Sequence, residues 1–226
     1  MLQTKRYLLG FLPRERIRMR INIVGSAPGW EDCPVNDGFI WGINNMHLLR
    51  DVDLIVDVHK TRNDPKEQKD KIHLAVLKDK NIHAFLHSKI EGMPNVDRYP
   101  IEEITKKFGV DYFGCGIDYI VALAIYSGAT EIHLYGIWMA QGTEYAHQKP
   151  SLEFWLGYAM GAGIKIHIHG AYSAILRTYN GLMYGYETHQ KWVNKYFPDQ
   201  ISLAELIERY EREPEKTDIE SVPVDM

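Results

Sequence analysis

A chain of 226 residues with 45% apolar and 12% aromatic residues has enough apolar side chains to bury a core, which excludes a largely disordered protein. The formal net charge of −4 argues against a duplex-DNA-binding protein, which needs a basic face for the phosphates. The only cysteines are Cys33 and Cys115, so we expect a reduced, cytosolic protein, and we expect no membrane span.

Residues 1–20 form a basic lead-in with a short apolar run over residues 7–12. That run is too short to cross a bilayer and is followed by more charge, so the sequence predicts no targeting segment. The lead-in is either a poorly packed segment or first edge element, or a basic arm that contacts an anionic partner. Its cations are Lys5, Arg6, Arg14, Arg16, Arg18 and Arg20.

Short apolar runs that end in glycine or a polar residue predict strands buried on both faces of a parallel sheet. These runs are residues 21–24, 54–58 and 132–135. The run at 164–168 alternates apolar and polar residues, so we expect it nearer an edge of the sheet. Weaker strand candidates are residues 38–43 and 82–86.

Helical segments fill the gaps between these runs. Residues 118–127 and 151–161 are apolar and each is closed by a glycine, and Ser151 provides an N-cap. The polar segment 64–77 predicts a solvated helix over the sheet. The order helix, strand, loop, helix, strand over 118–168 indicates a parallel βαβ unit. The sequence therefore predicts an α/β fold, with a Rossmann-like, mostly parallel sheet flanked by helices.

The chain changes in character after the last predicted strand. Residues 202–212 have apolar side chains at helical spacing behind a serine N-cap, whereas residues 213–226 are acidic and contain proline. We expect a Rossmann-like domain over 21–185, a helical extension over 186–212, and an acidic tail over 213–226 that is disordered or wrapped on a neighbouring subunit.

The first predicted strand is followed by Gly25-Ser26-Ala27-Pro28. A glycine directly after a buried strand lets the backbone approach a ligand closely, and open α/β sheets bind ligands at the carboxyl ends of their strands. The serine adds a hydroxyl donor. The loop is neither a Gly-x-Gly-x-x-Gly motif nor a Walker loop. It predicts a nucleotide phosphate site, with an ordinary strand-to-helix turn as the alternative.

Polar residues also follow the next two apolar runs. An amide such as that of Asn44 or Asn45 can donate to and accept from a base or sugar edge, while a left-handed turn is the alternative. Asp57 and His59 stand at i and i+2, so their side chains project to the same face. Near a phosphate they would bind a metal or shuttle a proton. Alternatively, Asp57 caps the following segment and His59 is solvated.

The second half of the chain contains a polar segment after Gly136. We place Glu144, Tyr145, His147 and Lys149 on a loop between a buried strand and a helix, where site residues are commonly carried. A histidine there suits general acid or base chemistry, and a plain surface loop is the alternative. Three more histidines alternate with apolar residues inside predicted strands, so we expect them to be packed or edge residues rather than metal ligands. They are His133, His167 and His169.

The segment from Asp118 to Ile137 resembles one shared by two related families. One is the bacterial sialyltransferases that use CMP-sialic acid, and the other is the archaeal hydroxymethylpterin pyrophosphokinase-like family, long called a domain of unknown function. Both families end the first strand in a Gly-x-Pro-Ser-type loop. The resemblance extends, with gaps, from Ile21 to Ser173, and the compact size is similar to that of phage-encoded members.

The resemblance to the sialyltransferases implies roles for individual residues. Asn44 matches an asparagine that contacts the nucleotide sugar, Tyr145 matches a tyrosine that holds the phosphate, and His147 matches the catalytic base. The sequence departs from the family at two positions. Trp138 replaces an aspartate after the Gly-Ile pair, and the serine of the first loop is displaced to Ser26.

We therefore predict a transferase that uses a nucleotide or nucleotide sugar for glycosyl or pyrophosphoryl transfer to a small-molecule or polymer acceptor. His147, Tyr145 and Asp57 are the predicted catalytic residues. Glycosyl transfer requires no metal site, whereas pyrophosphoryl transfer would need ATP and Mg²⁺, with Asp57 a possible ligand. The predicted nucleotide-binding residues are Gly25, Ser26, Ala27, Pro28, Asn44, Asn45, Gly116, Asp118, Tyr119 and Gly136.

Two other functions stay open. Trp138 in place of an acid favours a non-catalytic nucleotide-binding or assembly module that has kept the pocket and lost the chemistry. The arginines of residues 1–20 would suit a nucleic-acid-associated protein. In each case we expect a cytoplasmic location, in the host cytoplasm if the protein is phage-encoded, and a homo-oligomer stays open.

Overall fold

The computed structural model describes residues 18–60, 68–140, 145–178 and 183. The chain divides into two compact units, Met1–Leu176 and Arg177–Met226, and every element given below lies in the first. The predicted helical extension and acidic tail, and nearly all of the basic lead-in, lie outside the described residues. Among the helices that are described, none is long and apolar enough to cross a membrane.

Seven strands form one sheet in which all neighbouring strands are parallel. They are β1 (Arg20–Val24), β2 (Phe39–Ile43), β3 (Leu54–Asp57), β4 (His83–Leu86), β5 (Val96–Arg98), β6 (Glu131–Tyr135) and β7 (Lys165–Ile168). Their order across the sheet is β5-β4-β3-β2-β1-β6-β7. The predicted α/β, Rossmann-like fold is confirmed, and the alternating run at 164–168 does form an edge strand.

The direction in which the chain winds across the sheet changes at β1. The chain moves outward from β1 to β5 and then returns to the other side of β1 to form β6 and β7. Arg20 of β1 is therefore paired with Glu131 of β6, while Ile21 is paired with Phe39 of β2. Open α/β sheets bind ligands outside the carboxyl ends of the strands at such a switch point.

Within the described ranges, four helices and one short 3-10 helix connect the strands. They are α1 (Gln68–Asp79), α2 (Ile101–Phe108), α3 (Gly116–Tyr126), α4 (Tyr145–Gly161) and the 3-10 helix Met46–Leu48. Helix α3 is almost entirely apolar and buried, as is expected of a helix that is hydrophobic all round. It corresponds to the predicted helix over 118–127, and α1 overlaps the predicted helix over 64–77.

The apolar side chains form a core on each face of the sheet. On the α3 and α4 face, Ile21, Leu134 and Trp155 are fully buried, and Val24 and Leu77 are fully buried on the α1 face. Burying one such aliphatic side chain contributes about 1.5–3 kcal/mol relative to leaving it exposed. These two layers hold the strands in place and fix the positions of the loops at their carboxyl ends.

The start of α4 differs from our prediction. We expected a loop up to residue 149 and a helix capped by Ser151, but the helix begins at Tyr145. Pro150 lies inside the helix and lacks the N–H that would continue the hydrogen-bond pattern, which is why the sequence suggested a boundary there. Ser151 is buried, and its hydroxyl donates to the Gln148 carbonyl at 2.9 Å rather than capping a helix.

Candidate functional site

The loops after β1 and β6 are hydrogen-bonded to each other at the switch point. The backbone N–H of Gly25 donates to the Tyr135 carbonyl at 2.9 Å, and that of Ala27 donates to the Gly136 carbonyl at 3.0 Å. Two N–H groups of the predicted phosphate loop are therefore used inside the protein. The loop leads directly to β2, so no helix N-terminus follows it.

A close contact between the two backbones accounts for the glycines at this point. A Cβ added to Gly25 would lie 2.6 Å from the Gly136 carbonyl oxygen. A Cβ added to Gly136, whose φ is +61°, would lie 2.5 Å from the Gly25 oxygen and 2.6 Å from the Ala27 oxygen. The close approach that Gly25 permits is thus to the β6 loop, and the Ser26 side chain stays exposed.

Trp138 joins the same two loops through its side chain. Its indole Nε1 donates to the Pro28 carbonyl at 3.0 Å, and its ring lies 5.4 Å from the Tyr172 ring, measured between centroids. The residue that replaces the expected aspartate therefore fastens the loop after β6 to the Gly25–Pro28 loop.

Asn44 follows β2 directly and has an unusual conformation. Its φ is +56°, in the left-handed region, and its backbone N–H donates to the Val56 carbonyl at 2.9 Å. The left-handed turn given above as an alternative is therefore present. Its side-chain Oδ1 is buried and accepts no hydrogen bond from the described residues. Asn45, the next residue, is exposed.

The turn before α3 is built around Asp118. The buried Asp118 carboxylate accepts hydrogen bonds from the Gly114 N–H at 2.7 Å, the Cys115 N–H at 3.0 Å and the Cys115 thiol at 3.0 Å. Burial raises the pKa of Asp118, and burial beside this carboxyl raises the pKa of Cys115 to about 12. Both oxygens of the Asp118 carboxylate thus accept hydrogen bonds from the protein itself. Gly116 is next to Asn44, because a Cβ on Gly116 would lie 3.8 Å from Asn44 Oδ1.

Tyr119, the last residue of the predicted 116–119 turn, lies in an aromatic cluster. Its ring centroid is 4.5 Å from that of Phe113 and 5.1 Å from that of Tyr99. Its carbonyl accepts a hydrogen bond from the Tyr99 hydroxyl at 2.8 Å, and burial raises the pKa of Tyr119. These contacts give Tyr119 a packing role under the turn.

A buried carboxylate at the end of β3 holds an exposed histidine. Asp57 is 0% exposed, and its Oδ1 accepts from the His59 N–H at 3.1 Å and from His59 Nδ1 at 2.7 Å. The His59 side chain is 46% exposed. The two side chains do project to the same side, as their spacing predicts, and the contact fixes the orientation of the imidazole.

Two buried histidines that our sequence prediction did not select lie behind Asp57. His73 of α1 places Nε2 3.8 Å from Asp57 Oδ2, and His47 of the 3-10 helix contacts the His73 carbonyl through Nε2 at 3.2 Å. Burial lowers the pKa of His47, whose Nδ1 has no partner among the described residues. His47 stands three residues after Asn44, and that spacing is the only signal in the sequence that could have identified it.

The predicted residues of α4 stand on its first turn. Tyr145 is 45% exposed and His147 is also exposed, while Glu144 lies outside the described residues. The structure brings Gly25–Pro28 together with Gly136, Asn44 with Gly116, and Asp57 with His59. Tyr145 and His147 belong to none of these three groups.

The histidines of β6 and β7 pack against one another. The His133 and His167 rings stack at 4.2 Å, the Tyr135 and His169 rings stack at 4.0 Å, and His133 Nδ1 lies 3.0 Å from His169 Nε2. Burial is the main cause that lowers the pKa of His133 to about 4. Their interpretation as packed or edge residues is confirmed.

Pyrophosphoryl transfer would require a Mg²⁺ ion, and the groups around Asp57 do not suit one. Its Oδ1 already accepts two hydrogen bonds from His59, and the remaining oxygen faces His73. Among the residues that the structure describes, no group of three or more His, Cys, Asp or Glu side chains could hold a metal ion. The donor set at the end of β3 therefore does not fit Mg²⁺, which prefers several oxygen ligands.

No protein-family model and no curated protein matches this chain. Similar solved structures include sialyltransferases of Campylobacter jejuni. The monofunctional α-2,3-sialyltransferase Cst-I aligns with a TM-score of 0.49 and 14% identity over 91% of this chain and 96% of its own. The sialyltransferase CstII in complex with cytidine-5'-monophosphate aligns with a TM-score of 0.47 and 14% identity over 79% of this chain and 98% of its own. At this identity, and with TM-scores below 0.5, the likeness gives no conclusion about activity.

Proposed function

We propose that the protein is a glycosyl transferase that binds a nucleotide sugar at the carboxyl edge of the sheet, between the Gly25–Pro28 loop and the end of β3. The single observation that supports this most is the buried side-chain oxygen of Asn44, which accepts no hydrogen bond from the part of the chain that the structure describes. A buried acceptor left without a donor costs about 1–3 kcal/mol, so such an atom needs a partner, which can be a water molecule, an ion or a ligand.

The chemistry of Asn44 Oδ1 narrows the class of ligand. An amide oxygen needs a donor, and a nucleotide sugar offers hydroxyl groups on its sugars and an exocyclic amino group on cytosine or adenine. Asn44 lies beside Gly116 at the N-terminus of α3, where the helix dipole favours the negative charge of a phosphate. The exposed Ser26 hydroxyl provides a further donor.

The proposed reaction transfers the sugar to an acceptor hydroxyl. The hydroxyl oxygen attacks the anomeric carbon, the bond from that carbon to the phosphate oxygen breaks, and the nucleotide leaves with the electron pair. The hydroxyl proton passes to a base. We assign this role to His147 and the contact with the leaving phosphate to Tyr145, because both match the sialyltransferase motif and both are exposed on the first turn of α4.

Trp138 supports a second candidate, a nucleotide-binding module without chemistry. Its hydrogen bond to Pro28 fastens the two loops together where the related families carry an acid. In that case the protein would bind the nucleotide and would not turn over any nucleotide sugar, and His147→Ala would change nothing. Release of free nucleotide from a panel of nucleotide sugars, measured for the wild type and His147→Ala, distinguishes the two candidates.

Exchange of Asn44 for glycine tests the proposed pocket. Glycine accepts the left-handed backbone, so Asn44→Gly should leave the free energy of unfolding unchanged or raise it by up to about 1 kcal/mol. The same variant should weaken nucleotide binding about tenfold or more. The measurements are urea unfolding without ligand, and thermal shift followed by calorimetry with CMP, CDP, ATP and UDP-sugars, each with and without Mg²⁺.

Asn81 offers a matched control for this experiment. It also has a left-handed backbone, with φ of +51°, and its side chain is exposed in the turn between α1 and β4. Asn81→Gly should not alter nucleotide affinity. If no nucleotide stabilises the wild type, the pocket hypothesis fails. Equal nucleotide affinities for the wild type and Asn44→Gly would show that Asn44 does not contact the nucleotide.

A further inference from the structure

We propose that the aromatic pair Trp138 and Tyr172 is a stacking platform for a pyranose ring, and that the acceptor of the transfer reaction is a sugar. The inference rests on the proposed function, because it names the class of acceptor for that site. The sialyltransferase motif gives no role to either ring.

The two rings belong to loops at the carboxyl edge of the sheet. Trp138 follows β6, and Tyr172 follows β7. Their ring centroids are 5.4 Å apart, with 48° between the ring planes. Tyr172 is 76% exposed, and Trp138 is partly exposed. An aromatic surface is thus open to solvent beside the Gly25–Pro28 loop.

Two hydrogen bonds fix the position of Trp138. Its indole Nε1 donates to the Pro28 carbonyl at 3.0 Å, and its backbone carbonyl accepts from the Ala174 N–H at 2.7 Å. These bonds join the loops after β1, β6 and β7 to one another. A ring that is already fixed loses little conformational entropy when a ligand binds to it, which favours affinity.

The spacing of the two rings determines where a ligand ring fits. Nonbonded carbon atoms make contact at about 3.5–4.0 Å, so a ring inserted between two others needs them about 7 Å apart or more. At 5.4 Å the pair leaves no room for a third ring, and the ligand lies on the face of Tyr172 that points away from Trp138. A surface of two rings suits one six-membered ring and is far smaller than the about 800 Å² that each partner buries in a protein interface.

A pyranose ring has the chemistry that such a surface binds. Its C–H groups form an apolar face that packs on an aromatic ring, while its hydroxyl groups stay at the rim, in contact with water or polar groups. A nucleobase is also flat enough to stack. The proposed function, however, already places the nucleotide at Asn44, on the other side of the Gly25–Pro28 loop, which leaves the β6–β7 side for the acceptor.

The loop after β7 is also joined to α4, which carries the proposed base. The Leu176 N–H donates to Glu153 Oε1 at 2.6 Å. His147 stands on the same helix, fewer than two turns before Glu153 and about 9 Å from it along the helix axis. A sugar of one or two units on Tyr172 would therefore have hydroxyl groups near the first turn of α4.

The experiment titrates the protein, without nucleotide, with lactose and with the methyl glycosides of glucose, galactose and N-acetylglucosamine. The readout is the ¹H–¹⁵N resonance of the Trp138 indole, which is identified by its loss in Trp138→Phe. We expect at least one of these sugars to shift the resonance, and we expect Tyr172→Ala to weaken the binding of that sugar about fivefold or more. Tyr172→Phe keeps the ring and should bind within about twofold of the wild type. Because Tyr172 is 76% exposed, neither variant should change the midpoint of urea unfolding.

Tyr158 gives a matched control. It is 36% exposed and its ring lies 5.3 Å from that of Phe108, but it stands in the last turn of α4, towards the amino ends of the strands. Tyr158→Ala should leave the dissociation constant of the sugar unchanged. Glycerol, which has hydroxyl groups but no ring, should not shift the Trp138 resonance.

Three outcomes would overturn the inference. The first is that no sugar shifts the Trp138 resonance, and the second is that Tyr172→Ala binds the sugar as tightly as the wild type. The third is a tighter binding of cytidine or adenosine than of any sugar, with the same loss in Tyr172→Ala, which would mean that the rings stack on a nucleobase.

The nucleotide thermal shift separates this inference from the proposed function. If nucleotides stabilise the wild type and no sugar binds, only the platform fails. If a sugar binds and Tyr172→Ala weakens it, but no nucleotide stabilises the wild type, the proposed transfer reaction fails and the aromatic pair is a sugar-binding site of another kind.

Discussion

The carboxyl edge of the sheet has two halves, and they differ in whether their polar groups have hydrogen-bond partners. In the β1–β6 half, the N–H of Ala27 donates to Gly136 in the loop after β6, and the indole of Trp138 donates to the loop after β1. In the β2–β3 half, Asn44 Oδ1 and His47 Nδ1 have no partner among the described residues. Buried polar groups are normally paired, so the β2–β3 half is where our proposal places the ligand, and the paired loops of the β1–β6 half would form the wall beside it.

The largest expected effect on the free energy of unfolding comes from disturbing the contact between the loops after β1 and β6. In Gly136→Ala the new methyl group would lie 2.5 Å from a backbone oxygen, at a position that also has a left-handed φ. We expect the free energy of unfolding to fall by about 3 kcal/mol or more, measured by urea unfolding.

Gly128 is a control that separates the steric contact at Gly136 from the cost of a left-handed backbone. Its φ is +88° and a Cβ there would meet nothing within 4 Å. Gly128→Ala should therefore cost only about 1–2 kcal/mol, the price of the left-handed conformation alone. Similar losses in both variants would contradict the close packing of the two loops.

An effect of intermediate size should appear on acidification, because His133 is buried against the rings of His167 and His169. Burial, Arg20 and the neighbouring histidines lower the pKa of His133 to about 4, below its ordinary value of 6.5, against the raising effect of Glu131. The unfolded chain thus binds more protons between these values, so the free energy of unfolding should fall as the pH drops from 6.5 towards 4.

The His133→Gln variant tests that attribution. It lacks the group that gains a proton on unfolding, so its free energy of unfolding should change less between pH 7 and pH 4 than that of the wild type, by urea unfolding at each pH. Identical pH profiles would show that other groups cause the acid loss.

The smallest effect is expected from removing the hydrogen bond of Trp138. Trp138→Phe deletes the donor to the Pro28 carbonyl but keeps an aromatic ring, so the free energy of unfolding should fall by about 1 kcal/mol. Trp155→Phe, which removes a donor to Tyr112 from a fully buried ring, should cost more. If urea unfolding gives equal losses of unfolding free energy for the two variants, Trp138 packs more tightly against the loops after β1 and β6 than its half-exposed side chain indicates.

The sequence predicted most of the sheet because buried parallel strands are continuous apolar runs. It missed β5 (Val96–Arg98), whose three residues include two charged side chains, and α2 (Ile101–Phe108), which has only one fully buried residue, Ile104. The start of α4 was misplaced because Pro150 resembles a boundary. Local pattern thus predicted the elements that bury their own apolar surface, and failed where tertiary contacts decide.

The candidate site was predictable in part for the same reason. Asn44, Asp57 and His59 follow apolar runs, and the position of a strand end can be inferred from the chain alone. The occupied N–H groups of Gly25 and Ala27 could not be inferred, because their acceptors, the last residue of β6 and the first residue after it, are more than 100 residues away. The same holds for His73, which reaches Asp57 only through the packing of α1.

The pairing of β1 with both β2 and β6 has a consequence for synthesis of the protein. Arg20 pairs with Glu131, and 131 − 20 gives a separation of 111 residues along the chain. At about 5–20 residues per second, a ribosome takes roughly 6–20 seconds to add that stretch. During this interval one edge of β1, with its apolar side chains, has no native partner, so the nascent chain passes through a stage in which chaperones or slow translation would decide how much of it folds.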